Sequence, residues 1–260
     1  MSDAAPDKWV LIHGLARESA HWGPFTHQLQ QAFPASQIIC LDLPGTGKAL
    51  ASASPWSIAK ITDEVRAAAN LSTQSRCGLI GLSLGGMVVW DWLKRYPQDA
   101  SIGVLLNSSF ADLSPFYQRL NWKQYPEILR VAFMRDKRKR EKAIIKMVCN
   151  CSNQTPILEA WLAIQQQRPV TSSTIFRQLI AAATYRSGQK PNQPTLIISS
   201  KADQLVSPCC SSKIHQQHHL PIVEHEWAGH DITTDDGEWV VNKLQTSIQK
   251  QNVFSGHKKI

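Results

Sequence analysis

Short apolar runs alternate with amphipathic segments along most of this chain. The runs have the length of strands buried on both faces, whereas apolar residues three and four positions apart are typical of helices. Predicted strands lie at 8–12, 37–41, 77–80, 102–107, 195–199 and 222–227, and predicted helices lie at 24–34, 57–69, 84–96, 208–218 and 239–248. This alternation predicts an α/β fold with a mostly parallel sheet of about six strands and helices on both faces.

The alternation is interrupted between 111 and 191. This segment contains only helical patterns, which lie at 120–133, 137–147, 156–166 and 173–185. We therefore predict a core formed by 1–110 and 192–260, with a helical cap, or lid, formed by 111–191 and inserted after the fourth predicted strand. The chain has 260 residues, which is enough for one large core with such an insertion.

The composition is that of a globular protein, with 43% hydrophobic and 18% charged residues. No apolar run is long enough to cross a bilayer, and the polar residues 1–8 lack the apolar core of a signal peptide. The six cysteines do not form the regular framework of a small disulfide-bonded secreted protein. We therefore predict a cytoplasmic protein with reduced thiols and no transmembrane segment.

The strongest candidate chemistry lies in Gly81-Leu82-Ser83-Leu84-Gly85, where a predicted strand turns into a helix. A serine at such a turn projects its hydroxyl away from the sheet, and the glycines leave room for the backbone. The hydroxyl needs a base, and the base needs a carboxylate to orient it. Asp203 and His230 follow the last two predicted strands. Because loops that follow parallel strands open at one edge of the sheet, we expect Ser83, Asp203 and His230 to converge.

The order Ser, Asp, His, together with His13-Gly14 after the first strand, resembles the α/β-hydrolase superfamily of serine esterases and lipases. The resemblance covers nearly the whole chain and implies an α/β-hydrolase fold. It implies Ser83 as nucleophile, His230 as general base and then acid, and Asp203 as the orienting carboxylate. Asp112, which follows the fourth strand, is an alternative for the acid, and the neighbouring residues Asp231, Asp235 and Asp236 are further carboxylates near His230.

The resemblance also implies an oxyanion hole formed by the backbone N–H groups of Leu15 and Leu84. It places the inserted segment where members of the superfamily carry their lid. A serine at position 83 argues against the branches whose covalent ester forms on an aspartate. The expected activity is therefore carboxylic ester hydrolysis through an acyl-enzyme on Ser83.

Three aromatic residues are candidates to line the substrate pocket between core and cap. They are Trp22 in the first loop, Phe110 after the fourth strand and Trp161 in the cap. The sequence implies no cofactor. A histidine-rich helix carries His215, His218 and His219 beside two cysteines, but a solvated helix is the commoner role of such a cluster, so we expect no metal site.

The positive charge of the chain is concentrated in the inserted segment. The net charge is +8, and 14 of the 28 Lys and Arg residues but only 5 of the 20 Asp and Glu residues lie between 112 and 190. The densest part contains Arg135, Lys137, Arg138, Lys139 and Arg140. Such a patch is either a solvated helical face or an attractive surface for an acidic partner.

For a partner, an acyl carrier protein fits better than nucleic acid, because the patch lacks an aromatic platform or a nucleic-acid recognition motif. The chain is then similar to the carrier-protein methyl ester esterases of biotin biosynthesis, and its substrate is a small-molecule or carrier-bound ester. Two alternatives stay open. One is a lipase or thioesterase at an anionic membrane surface, with Phe116, Tyr117 and Trp122 as apolar contacts; the other is a binding protein or receptor without turnover.

Overall fold

The computed structural model describes residues 5–71 and 77–256. Its strands are β1 (Lys8–Ile12), β2 (Gln37–Leu41), β3 (Cys77–Leu82), β4 (Ala100–Leu106), β5 (Thr195–Ser200) and β6 (Ile222–His225). They form one sheet in the order β2-β1-β3-β4-β5-β6, and every pair of neighbours is parallel. The prediction of a parallel sheet of six strands is therefore confirmed.

The α-helices of the described chain lie between and after these strands. They are α1 (Phe25–Ala32), α2 (Ile58–Ala69), α3 (Leu84–Arg95), α4 (Phe116–Arg119), α5 (Tyr125–Ala132), α6 (Lys137–Val148), α7 (Thr155–Gln167), α8 (Ser172–Thr184), α9 (Cys209–His218) and α10 (Ile232–Gly256). Helix α10 is interrupted at Asp236, where φ is −154°. No described helix combines the length and the hydropathy needed to span a bilayer.

Strand β1 shows why the strands are continuous apolar runs. Its side chains alternate between the two faces, with Trp9 and Leu11 on one face and Val10 and Ile12 on the other. Residues of α2, α3 and α9 cover one face of the sheet, and residues of α1 and α10 cover the other. Because both faces are buried, each position of such a strand is apolar, and the run has no polar alternation.

The inserted segment is helical as predicted, but the predicted helix at 120–133 is wrong in its extent. In the structure α4 ends before this stretch, which contains a short 3-10 turn at Trp122–Gln124 followed by α5. Asn121 caps the turn by accepting a hydrogen bond from the Lys123 N–H at 3.2 Å. Pro126 has no N–H to donate, so it suits the first turn of α5 and not the middle of a longer helix.

The division into a core (1–110 and 192–260) and a cap (111–191) stays a prediction. Parts of its outer boundaries, at 1–4 and 257–260, lie outside the described residues. Below, the name cap segment means residues 111–191, which connect β4 to β5 and contain α4 to α8.

Candidate active site

Ser83 lies directly between β3 and α3, near the middle of the sheet. Its φ of 56° and ψ of −114° belong to a region that residues with a side chain seldom adopt. The neighbouring strand holds this conformation: the Ser83 N–H donates to the Leu106 carbonyl at 2.8 Å, and the Ser108 hydroxyl donates to the Ser83 carbonyl at 2.9 Å. A backbone strained and fixed in this way is characteristic of functional sites.

The glycines on either side of Ser83 are required by close backbone packing. A Cβ on Gly81 would collide with the backbone of Gly85, and a Cβ on Gly85 would collide with the Ile12 carbonyl. Glycine at 81 therefore lets β3 lie this close to the start of α3, and glycine at 85 lets α3 lie this close to β1. This is the geometry that the Gly-x-Ser-x-Gly pattern predicts.

His230 and Asp203 form a buried pair at the same edge of the sheet. His230 Nδ1 lies 2.7 Å from Asp203 Oδ2. The other carboxylate oxygen of Asp203 accepts the N–H groups of Leu205 at 2.8 Å and Val206 at 3.0 Å. The carboxylate is thus oriented by its own loop, and the pair fixes which imidazole nitrogen is turned away from Asp203.

Asn107 ties the loop of His230 to the strand beside Ser83. Its side-chain amide donates to the His230 carbonyl at 2.8 Å, and its oxygen accepts the Ser200 N–H at 2.8 Å. Asn107 directly follows Leu106, whose carbonyl holds the Ser83 N–H. These hydrogen bonds therefore join four segments at one edge of the sheet: the ends of β3, β4 and β5 and the loop after β6. Within the described residues the Ser83 hydroxyl and the imidazole make no hydrogen bond to each other, a contact that often tightens only when substrate binds.

The other candidate carboxylates have different partners. Asp112 accepts the Ser187 N–H at 2.8 Å. Asp231 lies 3.5 Å from His13 Nε2, and Asp236 lies 3.1 Å from His225 Nε2. Asp235 accepts backbone N–H groups at 150, 151 and 229. Among the described contacts, Asp203 is thus the carboxylate that lies within hydrogen-bonding distance of His230 Nδ1.

The two backbone N–H groups expected to form the oxyanion hole flank Ser83. Leu84 is the first residue of α3. Its N–H is therefore one of the N–H groups in the first helical turn, which have no carbonyl partner within the helix. The peptide before Leu15 is close to the serine, because a Cβ on Gly14 would lie 3.2 Å from Ser83 Cβ and 3.9 Å from Ser83 Oγ. Neither N–H takes part in a hydrogen bond of the described residues. The assignment of these two N–H groups to an oxyanion hole stays a prediction.

Of the three aromatic candidates for the pocket, two lie together and one lies apart. The Trp22 ring centroid is 4.8 Å from that of His13, and the Trp161 centroid is 5.3 Å from that of His21; the two histidine rings link them, with centroids 5.8 Å apart. Phe110 is fully buried and packs against Trp90, whose ring centroid is 5.1 Å away. Its side chain therefore belongs to the core cluster on the face of α3. The assignment of the three residues to a pocket stays a prediction.

No group of three or more His, Cys, Asp or Glu side chains in the described chain is arranged to hold a metal ion. The histidines of α9 have other contacts: His218 packs against Trp90 at 4.8 Å between ring centroids, and His215 Nδ1 lies 2.5 Å from the Leu220 carbonyl.

Most residues of the basic patch on the cap segment are exposed, and the sequence did not indicate the full extent of this basic surface. Arg135, Lys137, Arg138 and Lys139 are exposed and Arg140 is partly buried, while Arg138 forms an ion pair with Glu159. A groove of about 410 Å³ lies beside this patch. It is lined by Lys139, Lys142 and Lys146 of α6, Arg130 and Glu127 of α5, and four uncharged residues. The spacing of the three lysines along α6 is the signal that would have found this face.

His230 is the predicted general base, so its charge state sets the pH dependence that we expect of the activity. Burial of the imidazole opposes its protonation, but the Asp203 carboxylate and the nearby Asp231 outweigh burial and raise the pKa of His230 above its ordinary value of 6.5. A general base must be neutral to accept a proton. We therefore expect kcat/KM for an ester to be low in acid and to rise with pH, with a midpoint above 6.5. A pH–rate profile measures this; a midpoint below 6.5 or a flat profile would contradict it.

A parallel sheet with a strained serine turn after β3 and a carboxylate–imidazole pair after β5 and β6 defines the class of α/β hydrolases. The sequence model described as the alpha/beta hydrolase family matches residues 9–243, so the chain belongs to this family. The resemblance found in the sequence is thereby confirmed, and the family is one of hydrolases.

Individual relatives agree with this assignment at low identity. A protein of Pantoea ananatis (strain LMG 20103) that bears the name of a carbamate hydrolase, RutD, is 25% identical over 93% of this chain and 88% of its own length. An esterase from Exiguobacterium antarcticum has a similar structure, with a TM-score of 0.74, 16% identity and coverage of 94% of this chain and 92% of the other. The enol-lactonase from Burkholderia xenovorans LB400 has a TM-score of 0.71, 17% identity and coverage of 95% and 92%. These structures show the same fold.

Proposed function

We propose that this protein is a serine carboxylesterase that hydrolyses carboxylic esters through an acyl-enzyme on Ser83. The observation that carries the proposal is the oriented His230–Asp203 pair, at 2.7 Å, at the sheet edge where the strained Ser83 turn lies. His230 takes the hydroxyl proton as Ser83 attacks the ester carbonyl, and then gives it to the departing alcohol. Water next attacks the acyl-enzyme by the same route, which releases the acid and frees Ser83.

The oxyanion of each tetrahedral intermediate is bound by the N–H groups of Leu15 and Leu84 in this proposal. Charge that develops on the carbonyl oxygen is stabilised by donors that are already in place, which is commonly the largest electrostatic contribution in acyl transfer. The availability of both N–H groups and the closeness of Gly14 to Ser83 support this role. No metal or cofactor is needed for this chemistry.

The experiment that tests the proposal is hydrolysis of short chromogenic esters by the purified chain and by its Ser83→Ala variant. An ester and a carbamate with the same chromogenic leaving group are compared, because the carbonyl of either can acylate a serine and one relative bears the name of a carbamate hydrolase. Faster turnover of the ester supports an esterase. Absence of turnover on every such substrate would favour a binding protein.

For the natural substrate we propose a carrier-bound acyl ester in the cytoplasm, presented by an acidic protein such as acyl carrier protein, as in biotin biosynthesis. The groove of about 410 Å³ with Lys139, Lys142 and Lys146 on one face of α6 supports this proposal, because a surface of one sign attracts and orients a partner of the opposite sign. Exposed apolar side chains lie in the same part of the cap segment, and Phe133 is 84% exposed. They are suited to the apolar part of such a contact.

Reversal of charge on this groove is expected to separate carrier-bound from free substrates. In a Lys142→Glu, Lys146→Glu variant we expect kcat/KM for an acyl-carrier ester to fall by about tenfold or more at low salt, while a free methyl ester is hydrolysed within about twofold of the wild-type rate. The wild-type kcat/KM for the carrier ester should also fall more steeply with salt than that for the free ester.

The matched control is Lys60→Glu, which reverses an exposed lysine on α2, outside the cap segment. Equal effects of the cap and control variants, or equal salt slopes for the two substrates, would contradict the carrier proposal. If vesicles containing phosphatidylserine raise the rate of hydrolysis by the wild type and not by the cap variant, the result would instead favour an enzyme that acts at an anionic membrane surface.

A further inference from the structure

The loop that follows β1 forms a four-residue turn beside Ser83. The Gly14 carbonyl accepts the Arg17 N–H at 3.2 Å, which closes the turn, and Ala16 has a φ of 56°. A positive φ at the third position is the mark of a type II turn, in which glycine is the usual residue. Alanine at this position disfavours the observed turn relative to its type I form, in which the peptide between Leu15 and Ala16 is flipped.

This turn sets the direction of the Leu15 N–H. The Gly14 carbonyl and the Leu15 N–H belong to one planar trans peptide and point in opposite directions. The hydrogen bond from Arg17 holds that carbonyl, so it also holds the N–H that the proposed mechanism directs at the oxyanion. A flip of the next peptide, between Leu15 and Ala16, would keep this hydrogen bond, so the position of the turn beside Ser83 depends on what anchors it, and the disfavoured conformation of Ala16 has to be offset by that anchor.

Gln178 of α8 supplies this support from the cap segment. Its side-chain oxygen accepts the Ala16 N–H at 2.9 Å, and its side-chain nitrogen donates to the Pro44 carbonyl at 3.3 Å. The residue is fully buried, and α8 packs so closely on this region that a Cβ on Gly45 would collide with Thr174. Flipping the Leu15–Ala16 peptide would turn the Ala16 N–H away and leave the buried oxygen of Gln178 unpaired, which is unfavourable.

Two ion pairs tie the next residues of the loop to other helices of the cap segment. Arg17 Nη1 lies 3.0 Å from Glu141 Oε2 of α6, and both side chains are largely buried. The Arg17 guanidinium also lies 4.2 Å from the ring centroid of Trp161 of α7. Glu18 accepts two hydrogen bonds from the guanidinium of Arg168, directly after α7. The first loop is thus held at three successive residues, 16, 17 and 18.

We infer that the cap segment positions the oxyanion hole, and that Gln178 is the positioning residue: by binding the Ala16 N–H, it anchors the turn that carries the Leu15 N–H to α8, beside Ser83. The inference rests on the proposed esterase function. Gln178 need not touch the substrate for this role. Its loss should therefore weaken binding of the tetrahedral species and leave binding of the ground-state ester unchanged.

The experiment compares wild-type protein with Gln178→Met, which keeps the length of the side chain and removes the acceptor. We expect kcat for a short chromogenic ester to fall about tenfold to hundredfold, less than or similar to the loss of one oxyanion donor, with KM within about threefold of wild type. The affinity for an aryl boronic acid, which forms a tetrahedral adduct with a serine hydroxyl, should fall by a similar factor. This affinity is measured by calorimetry, so it does not depend on turnover.

Two further variants separate positioning from folding. Gln178→Glu retains an oxygen acceptor, and burial favours its protonated form, whose hydroxyl can donate to the Pro44 carbonyl; it should keep kcat within about threefold of wild type. Gln165→Met changes another buried glutamine of the cap segment, in α7, and should leave kcat and boronic acid affinity unchanged.

The failures of the two proposals can be distinguished. A wild-type protein that hydrolyses no ester and binds no boronic acid overturns the esterase function and, with it, this inference. A wild-type enzyme that is active while folded Gln178→Met keeps both kcat and boronic acid affinity, or raises KM alone, overturns the positioning role and leaves the esterase function standing. If Gln178→Met does not fold, the other two variants decide: equal losses of kcat and boronic acid affinity in Gln178→Glu and in Gln165→Met overturn the positioning role as well.

Discussion

Replacement of Ser83 by alanine is expected to lower kcat for ester hydrolysis by about four to six orders of magnitude, because it removes the hydroxyl that forms the acyl-enzyme in the proposed mechanism. The side chain is small, and an alanine at this position would keep the Cβ of the native residue. The φ of 56° is strained for serine and alanine alike, so the fold should persist. The loss therefore reports chemistry and not unfolding.

The measurement is initial-rate hydrolysis of a chromogenic acetate ester, combined with mass spectrometry after a fluorophosphonate probe. Wild-type protein should carry one adduct on Ser83, and the alanine variant should carry none. Ser101→Ala serves as the control, since Ser101 lies in β4 near the opposite edge of the sheet. An unchanged rate in Ser83→Ala would exclude Ser83 as the nucleophile.

Replacement of Asp203 by asparagine is expected to lower kcat by about three to four orders of magnitude. Oδ1 of Asp203 accepts the N–H groups of Leu205 and Val206, so an asparagine would keep its carbonyl oxygen there. Its NH₂ group would then face His230 Nδ1 and donate to it. The imidazole would carry its proton on Nε2, and it could not accept the proton of Ser83.

The pH–rate profile adds a second readout for this variant. Loss of the Asp203 carboxylate removes a group that raises the pKa of His230, so the remaining activity should have its midpoint at lower pH than wild type. Asp112→Asn is the matched control, because its carboxylate holds Ser187 and not the imidazole. A larger loss in Asp112→Asn than in Asp203→Asn would reassign the acid of the triad.

The positioning role inferred for Gln178 gives the cap segment two separate tasks. Its outer face carries the basic groove, and its inner face holds the first loop through Gln178, Glu141 and Arg168. The two tasks should be separable, since charge reversal on α6 should change the use of a carrier-bound ester and Gln178→Met should change turnover of every ester.

The sequence by itself determined the sheet, because parallel strands with both faces buried are apolar at successive positions and can be read locally. The turn at Ser83 was equally readable, since close packing admits only glycine at 81 and 85. The order of Ser83, Asp203 and His230 after the third, fifth and sixth strands was enough to predict the family, and the family model confirms it.

Tertiary structure decided what depends on contacts between distant parts of the chain. The contact between Asp203 and His230 follows from the ends of β5 and β6 lying side by side, which the chain order alone left open. The tie between Ala16 and Gln178 spans 162 positions, and nothing in the local pattern of either segment indicates the other. Local patterns follow the periods of helices and strands, whereas a hydrogen bond between two distant segments depends on how the whole fold brings them together.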